Sequence, residues 1–348
     1  MPIEQNVPEL ERIVSAGQNI EKLGDGYGGG DGPAEGPLWW KEGSYLLFSD
    51  IHNNRRMKWA QGQGVTLFQE PTNRANGLTR DLQGRLLAAE HDSRRVTRQE
   101  PDGSITVVAN SFKGQRLNRP NDVIVKSDGA IYFTDPWTSP LPREQWDLTF
   151  SGVYRVTPDL GTITLLVDDF IVPNGLMFSP DESILYINDS LGLLVRDDMF
   201  RSLGRIDAFD VRANGMLANR RVFCELRGEQ SGIPDGMKVD VKGNVYCTGP
   251  GGVWVMDATG KHLGTILTGV EHATNMAWGG EDWKTQQSFI GCFGMRAQAR
   301  TRSKRLPVIG VEMNGNVVDV HTDPRSTHAV KHFGPIGKKT FRINLHYI

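Results

Sequence analysis

Several things that would settle the class of this chain at once are scarce or missing. Only three cysteines occur among 348 residues, Cys224, Cys247 and Cys292. Their spacing excludes a zinc knuckle or a CxxC redox pair, and they read as reduced thiols rather than a disulfide scaffold. No run of 18 apolar residues exists, which excludes a membrane-spanning helix. Net charge is nearly absent: 39 Lys and Arg stand against 41 Asp and Glu, a formal −2. A uniformly basic, polyanion-binding surface is thereby excluded. The opening MPIEQNVPELERIV lacks the basic and apolar regions of a secretory signal, so a cytoplasmic protein with no membrane partner is expected. Neither GxSxG nor HExxH occurs, leaving serine-hydrolase and zincin chemistry without support. Helical periodicity is scarce as well.

What is present is turn chemistry and short apolar runs. The 40 glycines and 18 prolines are spread along the chain, and 38% of residues are hydrophobic, enough for a core without staples. The one dense glycine cluster, Gly24 to Gly32, lacks the following helix and Lys of a phosphate cradle and is expected to be a flexible connection into the first strand. Gly43–Asp50, Gly84–Glu90, Gly129–Asp135, Ser183–Asp189, Gly243–Gly249 and, more weakly, Ser288–Cys292 each set β-branched or aromatic residues between turn signals. That pattern predicts hairpin-linked strands.

A second signal precedes each of these strands. The segments begin at Glu35, Asn76, Asn121, Asn174, Asp235 and Asn275, at intervals of 41, 45, 53, 61 and 40 residues. Each puts an amide or carboxylate ahead of an apolar strand. One such residue would be a strand-entry turn. Six with the same chemistry predict an all-β, six-bladed β-propeller in which these side chains ring a central channel. The whole chain, 1–348, reads as one propeller domain with residues 1–32 as an N-terminal segment. Glu11 to Leu23 are placed to give the outer strand of the last blade, and Val308 to Val320 its other late strands. The basic stretch Met295 to Arg305 has no interleaved aromatics and reads as a solvated loop, so no nucleic-acid partner is expected.

The axial set has the chemistry of a hard-cation site. Glu35 and Asp235 offer carboxylates, Asn121 and Asn174 amide oxygens, and no soft sulfur or obligatory imidazole is among them. Such donors suit Ca²⁺ best, then Mg²⁺ or Mn²⁺. Four protein ligands leave coordination positions for water and a substrate carbonyl, and two carboxylates neutralise a divalent charge. Without a cation, Glu35 and Asp235 would repel and one would protonate.

Ala34-Glu-Gly-Pro37, Arg119-Pro-Asn-Asp-Val-Ile-Val-Lys-Ser-Asp-Gly129 with Tyr132-Phe-Thr-Asp-Pro136, Pro173-Asn-Gly-Leu176 and Pro234-Asp-Gly236 closely resemble the gluconolactonase/regucalcin (senescence marker protein) family over roughly residues 33 to 295. Glu90-His-Asp-Ser-Arg-Arg-Val96 is similar to a bacterial gluconolactonase segment. The resemblance implies a six-bladed propeller with one divalent cation in its channel, Zn²⁺ joining the three hard cations as alternatives. It implies Glu35, Asn174 and Asp235 as metal ligands. It also implies Asn121 as a substrate contact, or as a fourth ligand as in the diisopropyl fluorophosphatase-type relatives, and Arg119 beside the substrate. The implied reaction is metal-assisted opening of a small-molecule lactone, with Asp235 as proton acceptor or nucleophile. His91 either orients substrate or makes a structural hydrogen bond. A phosphotriesterase on the same site, a metal-free strictosidine-synthase-like condensing propeller and a non-enzymatic Ca²⁺-binding propeller are the other readings. Insertions such as Leu193 to Arg201 bear on the substrate pocket.

Overall fold

The computed structural model describes residues 3–5, 8–13, 20–28, 33–137, 146–191, 204–270, 272–280, 287–293 and 306–313. The Met295–Arg305 and Leu193–Arg201 stretches and the end of the Val308–Val320 stretch lie outside these residues. Strands dominate, with no α-helix among the described residues and therefore no helix able to cross a membrane.

Antiparallel sheets follow one another along the chain. The first is Ala34–Trp40, Tyr45–Asp50, Arg55–Ala60 and Gly64–Gln69. The second is Ala75–Arg80, Leu86–Glu90, Arg95–Gln99 and Ile105–Ala109. The third is Val123–Val125, Ile131–Asp135, Gly152–Val156 and Ile163–Val167. The fourth is Pro173–Phe178, Ile184–Asp189, Gly204–Val211 and Leu217–Leu226. The fifth is Met237–Val239, Val245–Gly249, Gly252–Met256 and His262–Leu267, with Ile3–Gln5 added outside as a fifth strand. The sixth is Ala273–Gly279, Gln287–Phe293 and Leu306–Met313, completed on its outer edge by Ile20–Tyr27. A small hairpin, Ser111–Phe112 with Gln115–Arg116, stands apart. This is an all-β propeller architecture.

The six turn-bounded runs read from the sequence are the second strands of the six sheets. The N-terminal outer strand starts later than Glu11. Residues Pro8–Arg12 form a 3₁₀ turn instead, and Leu10 and Ile13 are buried in the cluster between the fifth and sixth sheets. The glycine cluster is not simply a connection. Gly24, Asp25 and Tyr27 pair with Val308, Pro307 and Leu306, with register shifts on both sides of Gly24–Asp25. Glycine, having no side chain to pack, is tolerated at such bulges.

The core lies between neighbouring sheets. Leu87, Ala89 and Val96 of the second pack with Val123, Phe133 and Tyr154 of the third, where Phe133 and Tyr154 stack at 5.2 Å. Tyr132, Val153, Leu176, Leu185 and Phe209 join the third to the fourth, and Tyr186, Ile206, Val245 and Trp254 the fourth to the fifth. Each large side chain fully buried here contributes roughly 1.5–3 kcal/mol.

Polar stitches from the first or second strand of each sheet tie it to the entry of the next sheet's first strand. Ser49 Oγ donates to Asn76 O (2.7 Å), Gly77 N to Asn121 O (2.8 Å) and Thr134 Oγ1 to Asn174 O (2.8 Å). Gly175 N donates to Asp235 O (3.0 Å), Gly236 N to Thr274 O (2.6 Å), and Thr274 Oγ1 returns to Ala34 O (2.8 Å). These contacts explain the glycine after Glu35. At Gly36, with φ +54°, an added Cβ would stand 2.1 Å from Asn76 O. Gly36→Ala is therefore expected to cost at least about 2 kcal/mol. Gly62→Ala, at φ +74° with nothing within 4 Å, should cost about 1 kcal/mol. Urea unfolding of the two variants checks the difference.

Candidate active site

The stitches bring Glu35, Asn76, Asn121, Asn174, Asp235 and Asn275 to corresponding places at or just before the starts of the six first strands. None is more than 5% exposed. Four of these strands change register beside the polar residue, between Glu35 and Leu38, Ala75 and Leu78, Pro173 and Leu176, and Ala273 and Asn275. The bulges turn the side chain out of the ordinary pleat alternation.

The Glu35 and Asp235 carboxyls lie close enough to act on each other's protonation, and the neighbouring Asn174 side chain opposes the rise at Asp235. Glu35 Oε2 accepts from Gly36 N at 2.9 Å and from Asn275 Nδ2 at 3.0 Å. Its other oxygen, Oε1, is buried with no donor. Asn174 Nδ2 also donates to Ser190 Oγ (3.3 Å), which donates in turn to Pro234 O (2.6 Å), while Asn188 Nδ2 donates to Asp235 O (2.6 Å). The sequence reading missed Asp122. It is buried, its Oδ1 accepts from Val123 N at 2.9 Å, and its Oδ2 has no partner. It follows Asn121 where four of the other five axial residues are followed by glycine, and that substitution was its only sequence signal.

Burial raises the Glu35 carboxyl to about 7, Gly36 N and Asn275 oppose the rise, and the Asp122 charge adds to it. Asp235 is pushed well above the usual carboxylate range, by burial first and then by the charges of Glu35 and Asp122. Two acceptor-only groups in contact, an orphaned oxygen and amide oxygens beside them fit a hard cation. Among the described residues no group of three or more His, Cys, Asp or Glu converges as a metal cluster, so the donor set is carboxylates plus carboxamides. In cation-stripped protein, native Glu35 keeps its proton up to about pH 7 while the unfolded chain releases it near 4.5. Stability of that form should fall as pH rises from about 4.5 through 7, which urea titrations across that range measure.

His91 and Arg119 stand beside this cluster. His91 Nε2 lies 3.3 Å from Asn76 Nδ2, and Arg119 Nη2 lies 2.9 Å from His91 Nδ1. Both His91 ring nitrogens thus face protein groups. Burial first, then Arg119, His52 and Arg74, hold the His91 pKa well below its ordinary value. Burial lowers Arg119 to about 10. The segment carrying Arg119 and Asn121 is anchored by Asp135, whose Oδ2 accepts from Asn118 N at 2.8 Å. An acid closes the second strand of four sheets, at Asp50, Glu90, Asp135 and Asp189. Three of them take backbone N–H groups from the segment entering a sheet: Gly28 N on Asp50, Asn118 N on Asp135, and Ile171 N and Val172 N on Asp189. Each was visible in the sequence as the last residue of a run, but not as an anchor. Cys224 and Cys247 are free thiols, with Cys247 buried.

Fold and site together define a β-propeller with a buried, oxygen-rich polar cluster where its sheets meet. The chain belongs to the SMP-30/gluconolactonase/LRE-like family, whose characteristic region matches residues 33–286. It is similar to the gluconolactonase of Zymomonas mobilis, 30% identical over 318 residues, covering 85% of each chain. It is also similar to bovine regucalcin, 28% identical over 270 residues, covering 74% of this chain and 82% of the bovine one. The solved structure of a gluconolactonase from Xanthomonas campestris aligns with TM-score 0.73 at 30% identity, covering 90% of this chain and 95% of that one. The calcium-binding protein regucalcin of Agrobacterium tumefaciens aligns at TM-score 0.66 and 18% identity, covering 86% and 96%, which speaks for the fold alone.

Proposed function

We propose that the chain is a lactonase, with its six sheets as the blades around one channel that takes a divalent cation. The observation that carries this reading is the contact of two buried carboxyls, Glu35 and Asp235, one with an orphaned oxygen, bordered by Asn174. Like charges packed this way are costly unless positive charge enters. The gluconolactonase relatives support a sugar-acid lactone as substrate.

Glu35, Asn174, Asp235 and Asn121 would hold the cation, and their oxygen donors favour Ca²⁺. When bound, the cation supplies a positive charge that polarises the lactone carbonyl and offsets the negative charge developing on its oxygen. Asp235, a carboxylate at the shared site, takes the proton from the attacking water. The acyl carbon gains the water oxygen, the ring C–O bond breaks, and the ring oxygen takes up a proton to give the hydroxy acid. Asn275 and Gly36 N pin one oxygen of Glu35, which fixes its other oxygen toward the shared site. Asn121 and Arg119 orient the substrate. A protein acting on intracellular sugar lactones fits a cytoplasmic location.

Metal analysis of the purified protein, followed by a lactone panel in a pH-stat with a paraoxon-like ester alongside, tests the reading. Hydrolysis of γ- or δ-lactones of sugar acids is expected. Turnover of the phosphoester alone would make it a phosphotriesterase, and turnover of neither would leave a binding protein. Within the set, Glu35→Gln should lose chiefly cation affinity, since it removes a charge but not the proton acceptor, and calorimetric titration with Ca²⁺ measures this.

A further inference from the structure

The chain Arg119, His91, Asn76 fixes which way the Asn76 amide faces. A guanidinium has N–H donors and no acceptor, so the 2.9 Å contact requires a bare lone pair on His91 Nδ1. A neutral imidazole unprotonated at Nδ1 carries its proton on Nε2. That N–H points at the Asn76 amide, 3.3 Å away. With the amide nitrogen toward His91, two N–H groups would oppose each other, and Asn76 Oδ1 would be buried without a donor. Exchanging oxygen and nitrogen of the amide removes both faults in one rotation, because the two atoms have nearly the same shape. Oδ1 then accepts from His91, and the NH₂ is left for the axial cluster.

We propose that Asn76 is a hydrogen-bond donor to a substrate oxygen and not a cation ligand, and that His91 and Arg119 are positioning residues that set its amide in that sense. The proposal rests on the lactonase reading for its substrate, but not for the tautomer. It gives the six axial residues a division of labour. Glu35, Asn121, Asn174 and Asp235 present oxygens, Asn275 donates to Glu35, and Asn76 presents N–H groups. A buried donor that loses its partner is costly, so an amide set this way selects lactones that place a hydroxyl or carbonyl oxygen against it.

Two measurements test it. Nitrogen-15 NMR of histidine-labelled protein should show His91 neutral and protonated on Nε2. A proton on Nδ1, or an imidazolium, would overturn the proposal whatever the enzyme hydrolyses. Second, Asn76→Asp keeps the shape and can still accept from His91, but presents no donor. Its buried carboxyl adds charge to the cluster and should lower the melting temperature of the cation-stripped form, while at saturating Ca²⁺ kcat/KM for glucono-1,5-lactone should fall by roughly 10- to 100-fold. Asn76→Ala should bind Ca²⁺ about as tightly as wild type. Wild-type kcat/KM in Asn76→Asp, or a loss of Ca²⁺ affinity in Asn76→Ala as large as in Glu35→Gln, would refute it. Failure of the wild-type protein to open any lactone would count against the lactonase reading and leave the NMR result standing.

Discussion

Asp235→Asn is expected to turn over lactones at least about 100-fold more slowly at saturating cation, because the variant keeps an oxygen ligand of the same shape but cannot take a proton from water. Cation affinity should fall by less than in Glu35→Gln. The substitution also removes one of the two carboxyl charges that burial forces together. Stripped of cation above pH 7, Asp235→Asn should therefore unfold at a higher temperature than the stripped wild type. Stopped-flow or pH-stat kinetics at several cation concentrations, with scanning calorimetry of the stripped proteins, give both results. Wild-type kcat in this variant would remove Asp235 from the chemistry and pass the proton to another group.

Chelation is expected to have the second large effect, abolishing hydrolysis altogether, with recovery on adding a divalent cation. Ca²⁺ should restore it, and Zn²⁺ need not be the best replacement, since the donors include neither His nor Cys. The same addition should stabilise the fold by about 2.7 kcal/mol at a hundredfold excess over Kd, a mass-action consequence of binding only the native state. Cation binding displaces the proton that Glu35 holds up to about pH 7. Affinity should therefore weaken as pH falls below 7, with proton release measurable by titration in buffers of different ionisation enthalpy. Full activity in EDTA-treated, metal-free protein would end the cation mechanism.

The parts of the fold that could be read from sequence are those where both faces of a strand are buried. Tyr45–Asp50, Leu86–Glu90 and Ile131–Asp135 are buried almost throughout, and their apolar runs stand out between turn residues. Outer strands meet water and mix charge into the pattern. Arg95–Gln99 reads RVTRQ, and Gly64–Gln69 exposes Thr66, Leu67 and Phe68, so neither separates from a loop by periodicity. The axial residues were legible because close approach of the first strands demands glycine after most of them, leaving a repeated two-residue mark. The support around them was not. Asn76, His91 and Arg119 meet across 15 and 28 residues and two sheets, and the anchoring of Asn118 by Asp135 spans 17. Nothing in local spacing announces such contacts, which depend on how neighbouring sheets face each other.

The pairing of Ile20–Tyr27 with Leu306–Met313 sets a sequence of events for assembly. Ile20 lies opposite Val311, so nearly the whole chain intervenes between partners in one sheet. On the ribosome the first four sheets and the four inner strands of the fifth can form from residues close in sequence, whereas the sixth must wait until both of its contributors are present. Its closure is the longest-range step and is expected to be the last to form and the slowest. Until then the Leu306–Met313 edge is an open template for strands of other molecules, which makes the interval before closure the stage at which aggregation competes with folding.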